Sequence, residues 1–305
     1  MSLGLLGFLF WLMRDKLPEV RQTLGTANRP LLLTAFVLQT GVVLLMALRL
    51  RILMRSMHMP MRYKEVTEIT YVGLFFNAFL PTSAGGDVIK AVWAGRSTGK
   101  TAEGFAAVLG DRIVGFCALT LLIGFGLFSA RDWGVGLGRQ LANAVGIGMV
   151  AVAGSVLVLS LTPQLESQVE KLLGKLHLGK IGEALHRFIT ALVSLRAQPK
   201  ALGLALMLSL VLQSIVIFEV FLLSHALASP VLLRLMFLIV PVSMVAGMVP
   251  SVNGMGVRES AFVLLLSREI GPETAFALSL LYLALLFSMS VVGGFVYLLN
   301  GRRWI

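Results

Sequence analysis

Three pairs of opposite charge stand inside otherwise apolar sequence: Asp87 with Lys90 three residues on, Asp111 beside Arg112, and Arg258 beside Glu259. A further acid, Glu219, lies within a long apolar run. In a hydrocarbon phase each bare charge costs roughly 2.5–3.5 kcal/mol on insertion scales, so such groups pair, reach water or serve a function. Two readings follow. Lys90, Arg112 and Arg258 could meet the phosphate of a lipid head group, with Asp87, Asp111 and Glu259 orienting them or meeting a cationic head group. Alternatively, the same residues are buried ion pairs that hold neighbouring elements together. Asn77, Ser83 and Asn253 add uncharged hydrogen-bonding groups nearby.

The elements that position these charges are two breaks in apolar helix. Pro81, Gly85 and Gly86 precede Asp87; Pro250, Gly254 and Gly256 precede Arg258. Laid proline on proline, both copies have a hydroxyl residue next, Gly85 falls on Gly254, Val88 on Val257, and each closes on a charged residue. The apolar runs on either side, 66–80 with 88–94 and 235–249 with 257–266, are short for a crossing that needs about 20 residues. Each pair reads as a re-entrant hairpin (66–95 and 235–268) whose tip is the break. Non-helical backbone at membrane depth is tolerated where it is buried in protein or lines a wet cavity. Helix N-termini following Gly86 and Gly256 would add positive dipole ends.

The chain has 305 residues, 57% hydrophobic and 13% charged, with mean hydropathy +0.88. Soluble domains carry nearer one quarter charged residues, so this is an integral membrane protein. No long polar block offers room for a separate soluble domain, and 1–305 reads as one membrane domain. Apolar runs at 31–48, 105–130, 141–161, 201–228 and 274–299 read as spans. The apolar stretch 1–13 is short, lacks the basic start and small-residue cleavage site of a signal peptide, and reads as a marginal sixth. Residues 163–199 alternate leucines with basic residues at helical spacing and read as amphipathic helix at the interface. The expected fold is therefore all-α and polytopic, with about six spanning helices plus two re-entrant broken-helix hairpins. Halves 31–130 and 200–299 form an inverted repeat.

With both termini in the cytoplasm, basic residues concentrate on the cytoplasmic side, as expected. Arg49, Arg51, Arg55, Arg62 and Lys64 then form a cytoplasmic loop. Of the 26 Lys and Arg residues, those falling on neither side are Lys90, Arg112 and Arg258. The net charge of +11 fits contact with anionic head groups. Nucleic acid is not an expected partner, because no basic stripe with aromatics stands outside the apolar spans. The single Cys117 and four scattered histidines give no metal-ligand spacing. The phosphate-loop pattern G-x-x-x-x-G-K-[ST] is absent, and neither break carries a hydroxyl–histidine pair for nucleophilic chemistry. No catalytic residue, cofactor or metal is expected.

The pattern Asn77-x-x-x-Pro81-x-x-x-Gly85-Gly86-Asp87-x-x-Lys90, then Asp111-Arg112-x-x-Gly115, then Pro250-x-x-x-Gly254-x-Gly256-x-Arg258-Glu259 resembles the lysylphosphatidylglycerol synthase transmembrane-region family, also described as flippase-like. The resemblance covers nearly the whole chain. It implies translocation of a polar lipid between leaflets of a bacterial inner membrane. The lipid would be an anionic or zwitterionic phospholipid, an aminoacylated lipid, or one of polyprenyl or hopanoid type. Larger members carry a soluble aminoacyl-transferase domain, and lysyl transfer is not implied here. The family's usual arginine after Gly-Gly-Asp is Lys90 in this chain, which keeps charge but not two-pronged phosphate geometry. The expected function is a lipid flippase or scramblase-like transporter, as a monomer or a homo-oligomer. The alternative is a non-transporting scaffold subunit for a separate lipid- or glycan-modifying enzyme.

Overall fold

The computed structural model describes residues 14–79, 85–133, 137–161, 198–248 and 255–300. The apolar stretch 1–13, the amphipathic segment 163–197, and the tip residues Pro81, Ser83, Pro250, Asn253 and Gly254 lie outside them. The described residues form ten α-helices and no strand: α1 (Leu17–Gly25), α2 (Arg29–Ser56), α3 (Tyr63–Phe79), α4 (Gly85–Thr98), α5 (Thr101–Ser129), α6 (Leu137–Leu161), α7 (Pro199–Ala226), α8 (Leu233–Ala246), α9 (Val257–Ile270) and α10 (Pro272–Asn300). Four of them, α2, α5, α7 and α10, are long and apolar enough to cross a membrane. At 1.5 Å per residue each is about 42 Å long, beyond the ~30 Å hydrocarbon thickness. The protein is a multi-pass membrane protein.

Its surface follows from hydrocarbon as solvent. Phe128, Ile147, Leu298 and Leu299 are exposed, whereas Arg49, Lys90, Asp111, Arg258 and Glu259 are buried. A water-soluble domain distributes these residue types the other way round.

The helices α2–α5 and α7–α10 repeat one another. Their lengths run 28, 17, 14 and 29 residues in the first set and 28, 14, 14 and 29 in the second. The turns repeat too. His58 (φ 58°) and Ala228 (φ 53°) both adopt the left-handed conformation after α2 and α7. In each turn the next amide closes the same six-residue loop, Met59 N–H to the Met54 carbonyl and Ser229 N–H to the Ser224 carbonyl. This is the Schellman end, and a proline follows in both copies, Pro60 and Pro230. Likewise α4 and α9 end at left-handed glycines, Gly99 (φ 72°) and Gly271 (φ 75°).

Packing obeys the same exchange. The first-half arm α3 lies on α10, and the second-half arm α8 lies on α5. Both contacts are glycine crossings. Gly293 leaves no room for a Cβ against the Tyr71 carbonyl, and Gly126 none against Phe237 and Leu238 backbone, which is the small-residue logic of membrane helix packing. The helices that open each half, α2 and α7, pack on each other antiparallel. Asn28 N–H donates to the Ala226 carbonyl at one end, and Arg49 reaches Ser209 further along. These two corresponding helices thus run in opposite directions.

Each short pair packs side by side. In the first, Gly86 abuts Gly73 and Asn77 while Lys90 lies over Gly73, so α3 and α4 run antiparallel. In the second, Gly247 meets Arg258.

One expectation is corrected. Arg49 is not in a cytoplasmic loop: α2 continues unbroken through Arg49 and Arg51 to Ser56, and Arg49 is buried. The adjacent charges Asp111 and Arg112 likewise sit within a continuous helix, α5 from Thr101 to Ser129. Both helices stay intact because the charges they carry are paired inside the bundle.

Candidate functional site

The two short pairs face a common cavity of about 270 Å³. Asn77, Asp87 and Lys90 line it from the first, and Gly247 and Arg258 from the second. The long helices supply the rest of the wall, including Gln39 and Arg49 of α2, Asp111 and Arg112 of α5, Gln213 of α7 and Tyr282 of α10. Among the described residues the two short pairs share no extensive helix packing, and both contribute side chains to the lining of this space.

At the first wall, the Asp87 carboxylate serves two cations. Lys90 Nζ donates to Oδ1 at 2.9 Å, one turn along α4, and Arg112 Nε donates to Oδ2 from α5. Asp111 does not pair with its neighbour Arg112. Consecutive helical residues diverge by about 100°, and Asp111 points instead to α2. There Arg49 binds it in two-pronged fashion, Nε to Oδ1 at 2.6 Å and Nη2 to Oδ2 at 2.8 Å. Arg49 Nη1 also donates to Ser209 Oγ on α7 at 2.8 Å. One arginine thereby ties three helices.

At the second wall, Arg258 donates to Glu259 Oε1 from Nη2 at 2.9 Å and from Nε at 3.2 Å. Adjacent residues meet here because Glu259 folds back over its helix end, where Oε2 accepts the Gly256 N–H at 2.6 Å. Gly256 has φ 87°, a conformation that disfavours any side chain. The Arg258 guanidinium also lies over the Tyr282 ring, 5.5 Å from its centroid, a cation–π geometry.

Asn77 plays the matching part in the first pair, its Oδ1 accepting the Gly86 N–H at 2.8 Å. Both helix N-termini that were expected to present dipole ends to a ligand therefore have one amide already satisfied within the protein. Counted from its helix start, Asp87 is third in α4 and Glu259 third in α9. Matching by helix thus sets acid against acid, whereas the proline alignment set Lys90 on Glu259.

Of the expected ligand-binding residues, Asp87, Lys90, Asp111, Arg112, Arg258 and Asn77 come together around the cavity. Glu259 is fully buried behind Arg258, and Glu219 is fully buried without lining the space. Ser83 and Asn253 lie outside the described residues. Residues missed from sequence are Arg49, Gln39, Gln213 and Tyr282. A signal for the first two exists: Gln39, Val42, Val43, Met46 and Arg49 recur at one-turn spacing and share a face of α2, a periodicity that loop-charge counting overrides.

The halves differ at one matched pair of positions. Arg49 is the twenty-first residue of α2 and Glu219 the twenty-first of α7; Asp111 is eleventh in α5 and Tyr282 eleventh in α10. Where the first half has an ion pair, the second has a carboxyl group within electrostatic range of a phenol.

No curated protein and no solved structure matches this chain. The family description "Lysylphosphatidylglycerol synthase TM region" matches residues 1–294. With the helical bundle and its buried polar cavity, that match places the chain in the lysylphosphatidylglycerol synthase TM region family, whose membrane domains have lipid-related function.

Proposed function

We propose that the protein moves a polar lipid between leaflets, with the head group passing through the cavity between the two short helix pairs while the acyl chains stay in the bilayer. The observation that carries this reading is the set of cationic side chains gathered on one cavity. Lys90 and Arg112 both bind the carboxylate of Asp87 there, and Arg258 lines the same space, a constellation suited to an anionic ligand such as a phosphate. Two other pairs are Arg49 with Asp111 and Arg258 with Glu259. The first fits the role of holding helices together; the second lies within α9, with Arg258 also presenting a charge to the cavity. A volume of about 270 Å³ lies near the lower end of small-molecule pockets, roughly 300–1,000 Å³. That suits a head group rather than a whole lipid.

In this reading the short pairs are re-entrant, entered from opposite sides, and the inverted halves alternate about the central site as other inverted-repeat transporters do. The protein sits in the bacterial inner membrane with both termini cytoplasmic, transports without chemical modification of its lipid, and needs no cofactor. The substrate class is a phosphate-bearing lipid, whether a simple phospholipid, an aminoacylated one or a polyprenyl phosphate type.

Lipid retention tests the site. Purified protein should hold phospholipid through extended detergent washing, measured as phosphorus per protein. The neutral, similarly sized Lys90→Met should retain several-fold less. Equal retention by both would remove the cavity from the account.

A further inference from the structure

Glu219 is fully buried, with 0% exposure, and among the described residues neither of its carboxylate oxygens has a hydrogen-bond partner. Its helix α7 packs against α2, α5, α8 and α10. The buried charged groups of α2 and α5 are Arg49 and Asp111, bound to each other beside Ser209. That is ten residues, about 15 Å, back along α7. From α10 comes Tyr282, with Arg258 and Glu259 of α9 bound to each other beyond its ring. On α8 the charged residue is Arg234, near the start of that helix and bound to Asp132. On α7 itself, His225 lies near the far end against the Phe221 carbonyl. Among the described residues no cation is paired with Glu219.

An ionised carboxylate without donors or water costs several kcal/mol even after relaxation, and the protonated form, being neutral, costs less. The matched position in the other half carries the opposite arrangement. Arg49 lines the cavity and its charge is met by Asp111, while Glu219 is closed off beside Tyr282. In the transport reading one half rocks against the other about the central site, and that movement would open the Glu219 position to cavity water.

We propose that Glu219 is a proton-carrying site that couples proton movement to lipid movement. This rests on the transport reading above. In the closed arrangement the carboxyl holds its proton. On opening, the O–H bond breaks, the proton passes to cavity water, and the carboxylate remains until it is reprotonated from water on the other side. Tyr282 lines the cavity and lies within electrostatic range of Glu219.

Two measurements on the full chain test this. In proteoliposomes carrying head-group-labelled phospholipid, a gradient of about one pH unit should shift the wild-type leaflet distribution by up to about tenfold for one proton per lipid. A protonophore should abolish the shift, and Glu219→Gln should lose it. A wild type that moves lipid indifferently to the pH gradient, or follows a sodium gradient instead, overturns the proposal. So does a Glu219→Gln variant that still responds. Infrared difference spectra of the purified protein form the second readout, independent of transport. A protonated-carboxyl band at neutral pH should vanish in Glu219→Gln and move in Glu219→Asp. If the wild type moves no lipid but this band is present, the transport reading fails while the protonation site stands. If the band is missing from wild type, the proton site itself is wrong.

Discussion

Arg49 and Asp111, 62 residues apart in sequence, are locked by two hydrogen bonds of 2.6 and 2.8 Å. Removing one partner from a buried pair of this kind leaves a charge with no counter-ion and costs about 3–5 kcal/mol, whereas replacing both by apolar residues of similar size is often neutral. Arg49→Met or Asp111→Leu alone should therefore sharply lower thermal stability in detergent. The double variant should recover most of the loss. Additive losses would show that the pair does not act as a unit.

At Gly86 there is no room for a methyl group, because Gly73 backbone and Asn77 lie against it. Gly86→Ala must push α4 off α3 and break the Asn77 hydrogen bond. The expected cost is about 1–3 kcal/mol from overpacking, with loss of transport. Gly203→Ala, on a helix face with open space, should be close to neutral in the same thermal assay.

The two left-handed turn residues give a prediction of opposite sign. A non-glycine residue in that conformation costs roughly 1–2 kcal/mol. Ala228→Gly and His58→Gly should each raise thermal stability by up to about 1 kcal/mol, less the added freedom of the unfolded chain. A loss at either position would mean that its side chain contributes more than its backbone costs.

Asp87→Asn removes the acid that Lys90 and Arg112 share. Anionic lipid should then be retained more tightly in detergent, and its translocation in proteoliposomes should slow because release becomes harder. Weaker retention would place Asp87 itself in contact with the head group.

The all-helical architecture was legible from sequence because α2, α5, α7 and α10 are long apolar runs, while the described helices α3 and α8 end at Phe79 and Ala246, shortly before the two proline–glycine motifs, although Pro241 lies inside α8. The charged residues could be found for the same reason: a bare charge is costly in lipid. Their partners could not. Asp111 and Arg112 are adjacent in the chain but leave α5 on different sides, so each binds another helix. Which helix that is depends on packing, and the sequence alone is silent on it. Arg49 was misplaced because three arginines close together at 49, 51 and 55 look like a loop. Only the helical face shared with Gln39 and Met46 shows that the first of them turns inward. The equivalence of Arg49 and Glu219 required the two halves to be superposed by helix rather than by their proline motifs.

The central claim is that the cavity charges handle a lipid head group during its passage between leaflets. The most direct test is the rate at which head-group-labelled phospholipid crosses proteoliposome membranes containing wild type, Lys90→Met or Arg258→Met. Folding of each is checked by its thermal transition. Fast crossing is expected for wild type, with at least about a tenfold reduction for Lys90→Met, the scale expected from losing a charged hydrogen bond of about 1.5–3 kcal/mol. Equal rates for all three proteins, matching empty vesicles or not, would contradict it.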